Sequence, residues 1–432
     1  MEQAPAKAGR PWPARLPFFY GWVILPAAAL AIFVSGPGQT YSVSQFVDPL
    51  IEEFGWSRTA IAGLYTAGSL TAAATMIGIG WLLDRLGARL MLVGIGICLG
   101  LAALWMSNVD NKAEVYVGFA ALRIFGQGSL GLIPSTLVAL WFVRKRGRAT
   151  AIAGLGMVAS QAVFPPLIHT LITRIGWRET WVVMAIVVWV LLVPVAVFII
   201  RRSPESVGLR PDGLVAPPTP VASDTSHTPL PQVEGWTLGE SARSLSFWLV
   251  MVTAASASLV TTAFVFHQAA VFDSRGLSAG VSAAVLSVMG PMSLGGAFAG
   301  GFLADRYPNR FLLLAGQALI VVGALLALTM SSTWQAFAYG AVIGFASGGL
   351  ITVNAVVWPN YFGRKRLGSI RGVAMTSTMA FAALGPLPFS VLYDASGSYS
   401  LAILVFLVLP VICATLALLA PRPTKAGALA TS

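Results

Sequence analysis

The chain has 432 residues, 56% of them hydrophobic and only 10% charged, with a mean hydropathy of +0.79. A soluble globular protein carries roughly a quarter charged residues, so this sequence cannot cover a water-facing surface of its own length. Lipid is the expected solvent. The net charge of +11 sits in short strips between apolar runs rather than on one soluble face, which excludes a nucleic-acid partner. The two cysteines, Cys98 and Cys413, each lie inside an apolar run, so neither a disulfide framework nor a metal site is expected.

A membrane-crossing helix needs about 20 mainly apolar residues. Twelve stretches qualify, at 20–47, 58–82, 89–107, 114–141, 149–173, 179–200, 246–272, 279–303, 310–330, 334–360, 368–393 and 399–419. Lys7, Arg10 and Arg15 precede the first of them, as in a signal peptide. That stretch is too long for one and reads as a retained first span. Gly36-Pro37-Gly38 and Pro165-Pro166 fall inside spans, where neighbouring helices can satisfy the freed backbone groups.

Even-numbered crossing places both termini on one side. That side carries 21 Lys and Arg residues, among them Arg85, Arg89, Arg144 to Arg146, Arg306, Arg364 to Arg366, Arg371, Arg422 and Lys425. The other carries five: Arg58, Lys112, Arg174, Arg178 and Arg275. The bias predicts cytoplasmic termini and a protein integral to the cytoplasmic (inner) membrane, with the lipid bilayer as its surroundings and a monomer as the expected unit. The segment 201–243 is polar and rich in Pro, including Pro204, Pro211, Pro217, Pro218, Pro220, Pro229 and Pro231. It is expected to be largely extended, closing on a capped turn at Thr237 to Glu240. The predicted division is therefore 1–200, a bundle of six spans; 201–243, a cytoplasmic linker; and 244–432, a second bundle of six.

The two halves repeat. Gly80-Trp-Leu-Leu-Asp84-Arg85 follows the second span, and Gly301-Phe-Leu-Ala-Asp305-Arg306 follows the eighth, 221 residues later. At the same offset Arg89 aligns with Arg310, Gly55 with Gly276 and Pro165 with Pro386. Trp141 to Arg146 and Tyr361 to Arg366 match at an offset of 220. A duplicated six-helix unit is the architecture by which many transporters rock two bundles about a midplane site. Gly126-Gln-Gly128-Ser-Leu-Gly131 spells a dinucleotide fingerprint, but no strand precedes it and it lies within a span. No nucleotide, metal or other cofactor is implied, and there is no phosphate-binding loop, HExxH or GxSxG, so catalytic residues are not expected.

The loop Gly80, Leu82, Asp84, Arg85, Gly87, Arg89 resembles the signature between spans two and three of the major facilitator superfamily. The resemblance implies an all-α membrane protein of twelve transmembrane helices in two pseudo-symmetric six-helix bundles. Asp84 would meet an arginine and the positive end of a helix from the other half, and the second copy, with Pro308 in place of the second glycine, would be a weaker latch. Gly80, Asp84, Arg85, Arg89, Asp305 and Arg306 are the gating candidates. Leu122-Arg123-Ile-Phe-Gly126-Gln127-Gly128 is similar to the span-four arginine motif of that superfamily. Arg123 reads either as a cation for substrate or proton coupling, or as a structural tie between spans one and four.

Phe19 to Val23, Phe54 to Arg58, Trp141 to Ala151 and Gly176 to Arg178 resemble the monocarboxylate and oxalate/formate branch, which implies proton-linked movement of a small organic anion. One departure stands out: span eight, Gly280 to Leu303, holds no Arg or Lys, and span eleven has only Arg371 near its start. No Asp or Glu falls mid-span, which argues against a cation carrier and leaves a neutral to positive interior. Gln39, Thr40 and Tyr41 after the broken stretch of span one, Tyr65, Arg123, Gln127, Asn354 and Trp358 are the substrate-binding candidates; the packing alternative is interhelical hydrogen bonding. His267, His169 and Arg123 are the candidates for proton coupling. The predicted function is secondary transport of a small organic anion, a monocarboxylate, by alternating access and without enzymatic activity. Efflux of a neutral or amphipathic compound and a non-transporting membrane sensor are the alternatives.

Overall fold

The structure is a computed structural model, and it describes residue 13, residues 16–213 and residues 235–423. Lys7, Arg10, Arg15, Lys425 and the linker prolines from Pro217 to Pro231 lie outside the described residues. Among the described residues the chain is mostly helical, and eleven segments are long and apolar enough to cross a membrane.

Eleven segments make twelve crossings, because one of them is double. Ala60–Met106 has 47 residues, about 70 Å at 1.5 Å per residue, against a hydrocarbon layer of about 30 Å. It belongs to α4 (Arg58–Met106), which is interrupted at Gly87, with φ of 79° and ψ of 162°. Only a residue without Cβ takes that conformation without strain, so the chain turns back there. Thr71 and Met106, at either side of the turn, both reach α5 (Lys112–Leu122): Thr71 Oγ1 and Tyr116 Oη are 2.9 Å apart, and the Met106 thioether lies against Gly118.

The first crossing is broken rather than continuous. α1 (Gly21–Phe33) gives way to a tight turn at Gly36–Gly38, an extended Gln39, α2 (Thr40–Val43) and α3 (Val47–Phe54). The fourth crossing is interrupted at the same level. Its α5 passes through a π-helical stretch, Arg123–Ser129, into α6 (Leu130–Trp141). Such widened turns concentrate at functional sites. The two breaks meet: a Cβ on Gly38 would fall 2.2 Å from the Leu122 carbonyl oxygen. α7 (Arg146–Ile175) and α8 (Trp177–Phe198) complete the first half.

The second half begins with α9 (Leu238–Ala242), which carries the anticipated capping box: Thr237 and Glu240 exchange side-chain and backbone bonds. α10 (Leu245–Asp273), α11 (Ala279–Ala304), α12 (Asn309–Thr329) and α13 (Thr333–Phe362) follow. The eleventh crossing is α14 (Leu367–Leu384) running into α15 (Pro386–Ser396), and α16 (Tyr399–Leu418) is the last.

Each half has its own core. One gathers Phe46, Phe119, Trp141, Phe164 and Trp181; the other gathers Phe247, Phe272, Trp358, Phe362 and Phe389. Many large apolar side chains stay on the outside, including Trp22, Leu90, Val190, Trp248, Ile351 and Leu387. Lipid-facing helices carry such residues without cost, because the driving force between membrane helices is close packing and hydrogen bonding rather than escape from water.

One end of the bundle gathers Tyr20, Trp141, Arg364 and Ala420 and is called the basic face below. There Phe19 and Tyr20 pack on Trp141, and the Tyr361 hydroxyl donates to the Ala420 carbonyl at 2.8 Å. Asp212 accepts from the Val143 and Arg144 amides. At the opposite face Arg178 binds Glu53 at 2.7 Å and Asp110 at 3.1 Å, with Trp177 also donating to Glu53. That cluster ties α3, the loop between α4 and α5, and α8 within one half.

Candidate functional site

Arg123 opens the π-helical stretch, where the fourth crossing widens against the broken first crossing. Its side chain is 7% exposed. Nη1 donates to Thr40 Oγ1 at 3.3 Å, the guanidinium carbon lies 4.9 Å from the centroid of the Tyr65 ring, and Nε is buried without a partner. Thr40 Oγ1 and Tyr65 Oη are 2.7 Å apart. Among the described residues no Asp or Glu pairs with Arg123. A buried charge at membrane depth costs several kcal/mol unless it is compensated. One long hydrogen bond to Thr40 and the hydroxyl and ring face of Tyr65 compensate it only in part. A carboxylate would supply what is missing.

The remaining predicted residues divide into neighbours and outliers. Gln127, one turn beyond Arg123, has a buried Oε1 with no donor. Gln39 donates to Ser35 Oγ at 3.0 Å, and Tyr41 donates to Ser160 Oγ at 2.7 Å. Both therefore fasten the broken first crossing within the first half. Asn354 and Trp358 bond to each other at 3.0 Å on α13, and Trp358 is 1% exposed, packed against Phe247 and Phe362 toward the basic face. The structure does not bring them to Arg123. His267 Nε2 meets the Pro386 carbonyl at 3.1 Å and Ser390 Oγ at 3.3 Å, and its ring stacks on Phe389. It belongs to the second half's junction between α14 and α15. His169 is exposed.

Two carboxylates fasten the halves at the basic face, by the same geometry. Asp84 Oδ1 accepts from the Gly368 amide at 2.7 Å; Oδ2 accepts from the Ser369 amide at 2.7 Å and its hydroxyl at 2.6 Å. These are first-turn groups of α14, where unsatisfied N–H groups and the helix dipole favour an anion. Asp305 does the same at the start of α7, accepting from the Gly147 amide at 2.7 Å and the Arg148 amide at 3.3 Å, with Arg148 Nε at 3.4 Å. The second copy has the longer bonds. The glycines of the motif are required by contact: a Cβ on Gly80 would lie 2.2 Å from the Gly368 oxygen, and one on Gly301 would lie 2.5 Å from the Gly147 oxygen.

The arginines of the motif stand apart from these bonds. Arg85 lies over the Trp81 ring and Arg306 over Phe302, while Arg89 is exposed. Arg146 instead crosses between halves, from α7 to Asn360 on α13, with the Phe142 and Ala139 carbonyls as its other acceptors. Arg364 reaches the Leu140 carbonyl and Glu205. Among the described residues, the hydrogen bonds that join the halves all lie on the basic side of the Thr376 to Ala73 bond. The molecule is therefore fastened at the basic face.

Arg123 is not alone as a buried cation. Arg371, one turn into α14, is 8% exposed and donates to Thr136 Oγ1 of the first half at 3.1 Å. It lies near a helix start, and contact with the other bundle is what buries it. Asn360 and Ser369 were also missed, because a polar residue at a helix end carries no sign of its partner across the interface.

The sequence profile described as "Major Facilitator Superfamily" matches residues 28–300 and 292–431. The probable sulfoacetate transporter SauU of Cupriavidus necator is 26% identical over 378 residues, 82% of this chain and 83% of that protein. The oxalate:formate antiporter of Oxalobacter formigenes is 23% identical over 285 residues, 66% of this chain and 63% of that one. Among solved structures, the transporter FucP in its outward conformation superposes with a TM-score of 0.69 at 14% identity, over 93% of this chain and 99% of the other. With twelve crossings, two cores, the doubled carboxylate latch and a profile match along most of its length, the chain belongs to the major facilitator superfamily and is a membrane transporter of small molecules.

Proposed function

We propose that this transporter carries a small organic anion, a monocarboxylate, across the cytoplasmic membrane by alternating access, with both termini cytoplasmic. The observation that carries the reading is Arg123: a buried cation beside a broken helix, with its Nε unpartnered and no carboxylate among the described residues to pair with. Thr40, Tyr65 and Gln127 are the polar groups that would orient the substrate beside it. Two relatives whose names specify organic anions, sulfoacetate and oxalate with formate, support the substrate class. On this reading residues 1–200 and 244–432 are the rocking bundles, 201–243 is the linker, and a monomer is the working unit.

The basic-face latch defines the state. With Asp84 and Asp305 engaged, the cytoplasmic side is shut and the anion enters from the opposite face. Its negative charge completes the hydrogen bonding of Arg123, and opening of the latch then exposes it to the cytoplasm. Proton coupling falls to His267, which sits at the α14–α15 junction, or to the protonated substrate at Arg123.

The test is counterflow in proteoliposomes against a panel of small carboxylates, neutral analogues and amphipathic cations. Carboxylates are expected to exchange, and Arg123→Ala to lower kcat/KM by at least about 30-fold, as expected for about 2 kcal/mol lost with one partner of a buried charge pair. A structural tie through Thr40 would instead show as a large fall in melting temperature. Exchange of neutral compounds alone, or unchanged kinetics in a folded Arg123→Ala protein, would refute the assignment.

A further inference from the structure

Arg371 is a buried cation between the halves that the latch as described does not use. Moving from Arg123 toward the basic face, the interface between halves is a stack of layers. Met76 lies against Gly128, and Met375 against Gly131. Below these apolar side chains Arg371 meets Thr136. Below that, Gly80 crosses Gly368 and Asp84 closes on Ser369. Arg123 and Thr136 lie on one crossing, thirteen residues apart, which is about 20 Å along a helix of 1.5 Å rise.

The bonding of Arg371 is thin. Its partner among the described residues is one hydroxyl, and that hydroxyl already donates to the Leu132 carbonyl at 2.7 Å. Among the described residues no carboxylate lies within 4.0 Å of the guanidinium. Asp84, in the layer below, already accepts three hydrogen bonds from Gly368 and Ser369. A purely structural cation would be expected to have its donors matched. Here one of the five guanidinium N–H groups meets an acceptor among the described residues, in a side chain held between α14 and α6. Those two helices must part when the basic face opens, because Asp84 and Thr376 bind α14 to the first half on either side of Arg371.

We propose that Arg371 is a second anion station, closed off in this state and opened to the cytoplasmic side when α14 leaves α6. Losing Thr136 releases a cation still carried by α14 into the newly opened vestibule, about 20 Å from Arg123 along the path. A carboxylate leaving Arg123 meets Arg371 before it meets water, and a carboxylate arriving from the cytoplasm meets Arg371 first. The two Met side chains separate the stations while the latch is shut. The inference rests on the organic-anion reading of the transporter and gives it a sided consequence: substitutions at Arg371 weaken recognition from the cytoplasmic side, whereas substitutions at Arg123 weaken it from both.

The test uses the full chain with Cys98 and Cys413 replaced by Ala and Thr136→Cys as the reporter. The reporter is labelled with sulfonatoethyl methanethiosulfonate, which is anionic, and with the trimethylammonioethyl reagent, which is cationic. A unit charge about 6 Å from the thiol changes the relative rates of the two reagents by about tenfold even in water. The anionic reagent is expected to be favoured with Arg371 or Arg371→Lys present, and Arg371→Gln to lower the ratio of rates by about tenfold. Oxalate, formate or pyruvate is expected to slow labelling in the Arg371 protein and not in Arg371→Gln. A ratio indifferent to residue 371, a reporter that reacts with neither reagent, or carboxylates that protect neither protein would overturn the station. Failure of the organic-anion reading itself shows separately, as absence of carboxylate counterflow by the unmodified transporter.

Discussion

Replacing Asp84 with Asn tests whether the carboxylate holds the basic face shut. The carboxylate accepts three short hydrogen bonds, two from backbone amides of α14 and one from the Ser369 hydroxyl. An amide side chain keeps one acceptor oxygen and turns an NH2 group toward donors that need an acceptor. It loses at least one charge-assisted bond, worth about 1.5–3 kcal/mol, and the favourable charge at the N-terminus of α14, worth about 0.3–1 kcal/mol. A total of about 2–4 kcal/mol changes the ratio of fastened to opened molecules by roughly 30- to 1,000-fold. Spin labels at Arg89→Cys and Arg366→Cys, both exposed and on opposite halves, report that ratio as a distance distribution. Asp84→Asn is expected to move the distribution toward longer distances while the melting temperature of the protein changes little. A distribution identical to that of the parent would refute the latch, because no other described group supplies acceptors to the Gly368 and Ser369 amides.

Two further outcomes follow from the second copy. Gly147→Ala places a Cβ 1.9 Å from the Gly301 oxygen, so α7 and α11 must separate; the same spin-label pair is expected to show the opened population rising, and an unchanged distribution would contradict the contact. Burial pushes the Asp305 carboxyl above its ordinary value, against the lowering effect of the Gly147 and Arg148 amides. In the opened state that carboxyl is hydrated and near the usual value of about 3.9. The fastened state therefore binds the proton more tightly. Through this group it gains relative stability as pH falls through the window between the two values, and loses that gain as pH rises. Acidification over that window is expected to shorten the spin-label distances, Asp305→Asn is expected to abolish the dependence, and a response of opposite sign would refute it.

Much of this protein is legible without coordinates, and the reason is the solvent. Lipid demands that each crossing satisfy its own backbone, so a run of apolar residues is already a helix, and the twelve runs appear as twelve crossings. Duplication made the second half readable from the first: the 221-residue offset between Asp84 and Asp305 becomes two carboxylates at two helix starts. The broken first crossing announces itself as Gly36-Pro37-Gly38, since neither residue type continues a helix without help.

What side chains do between crossings was decided only by the tertiary structure. Arg371 and Arg123 are the same residue type in apolar surroundings, yet the sequence distinguishes them only by distance from a helix end. Trp358 and Asn354 have the composition of a binding site and were drawn instead into the second half's core and to each other. Gln39 and Tyr41 lie beside Thr40 in sequence, but a break in the helix turns successive side chains toward different neighbours, and only Thr40 reaches Arg123. Within one helix the period fixes which residues share a face. Which other helix that face meets depends on bonds between residues hundreds of positions apart, such as Asp84 with Ser369, and no local pattern carries that information.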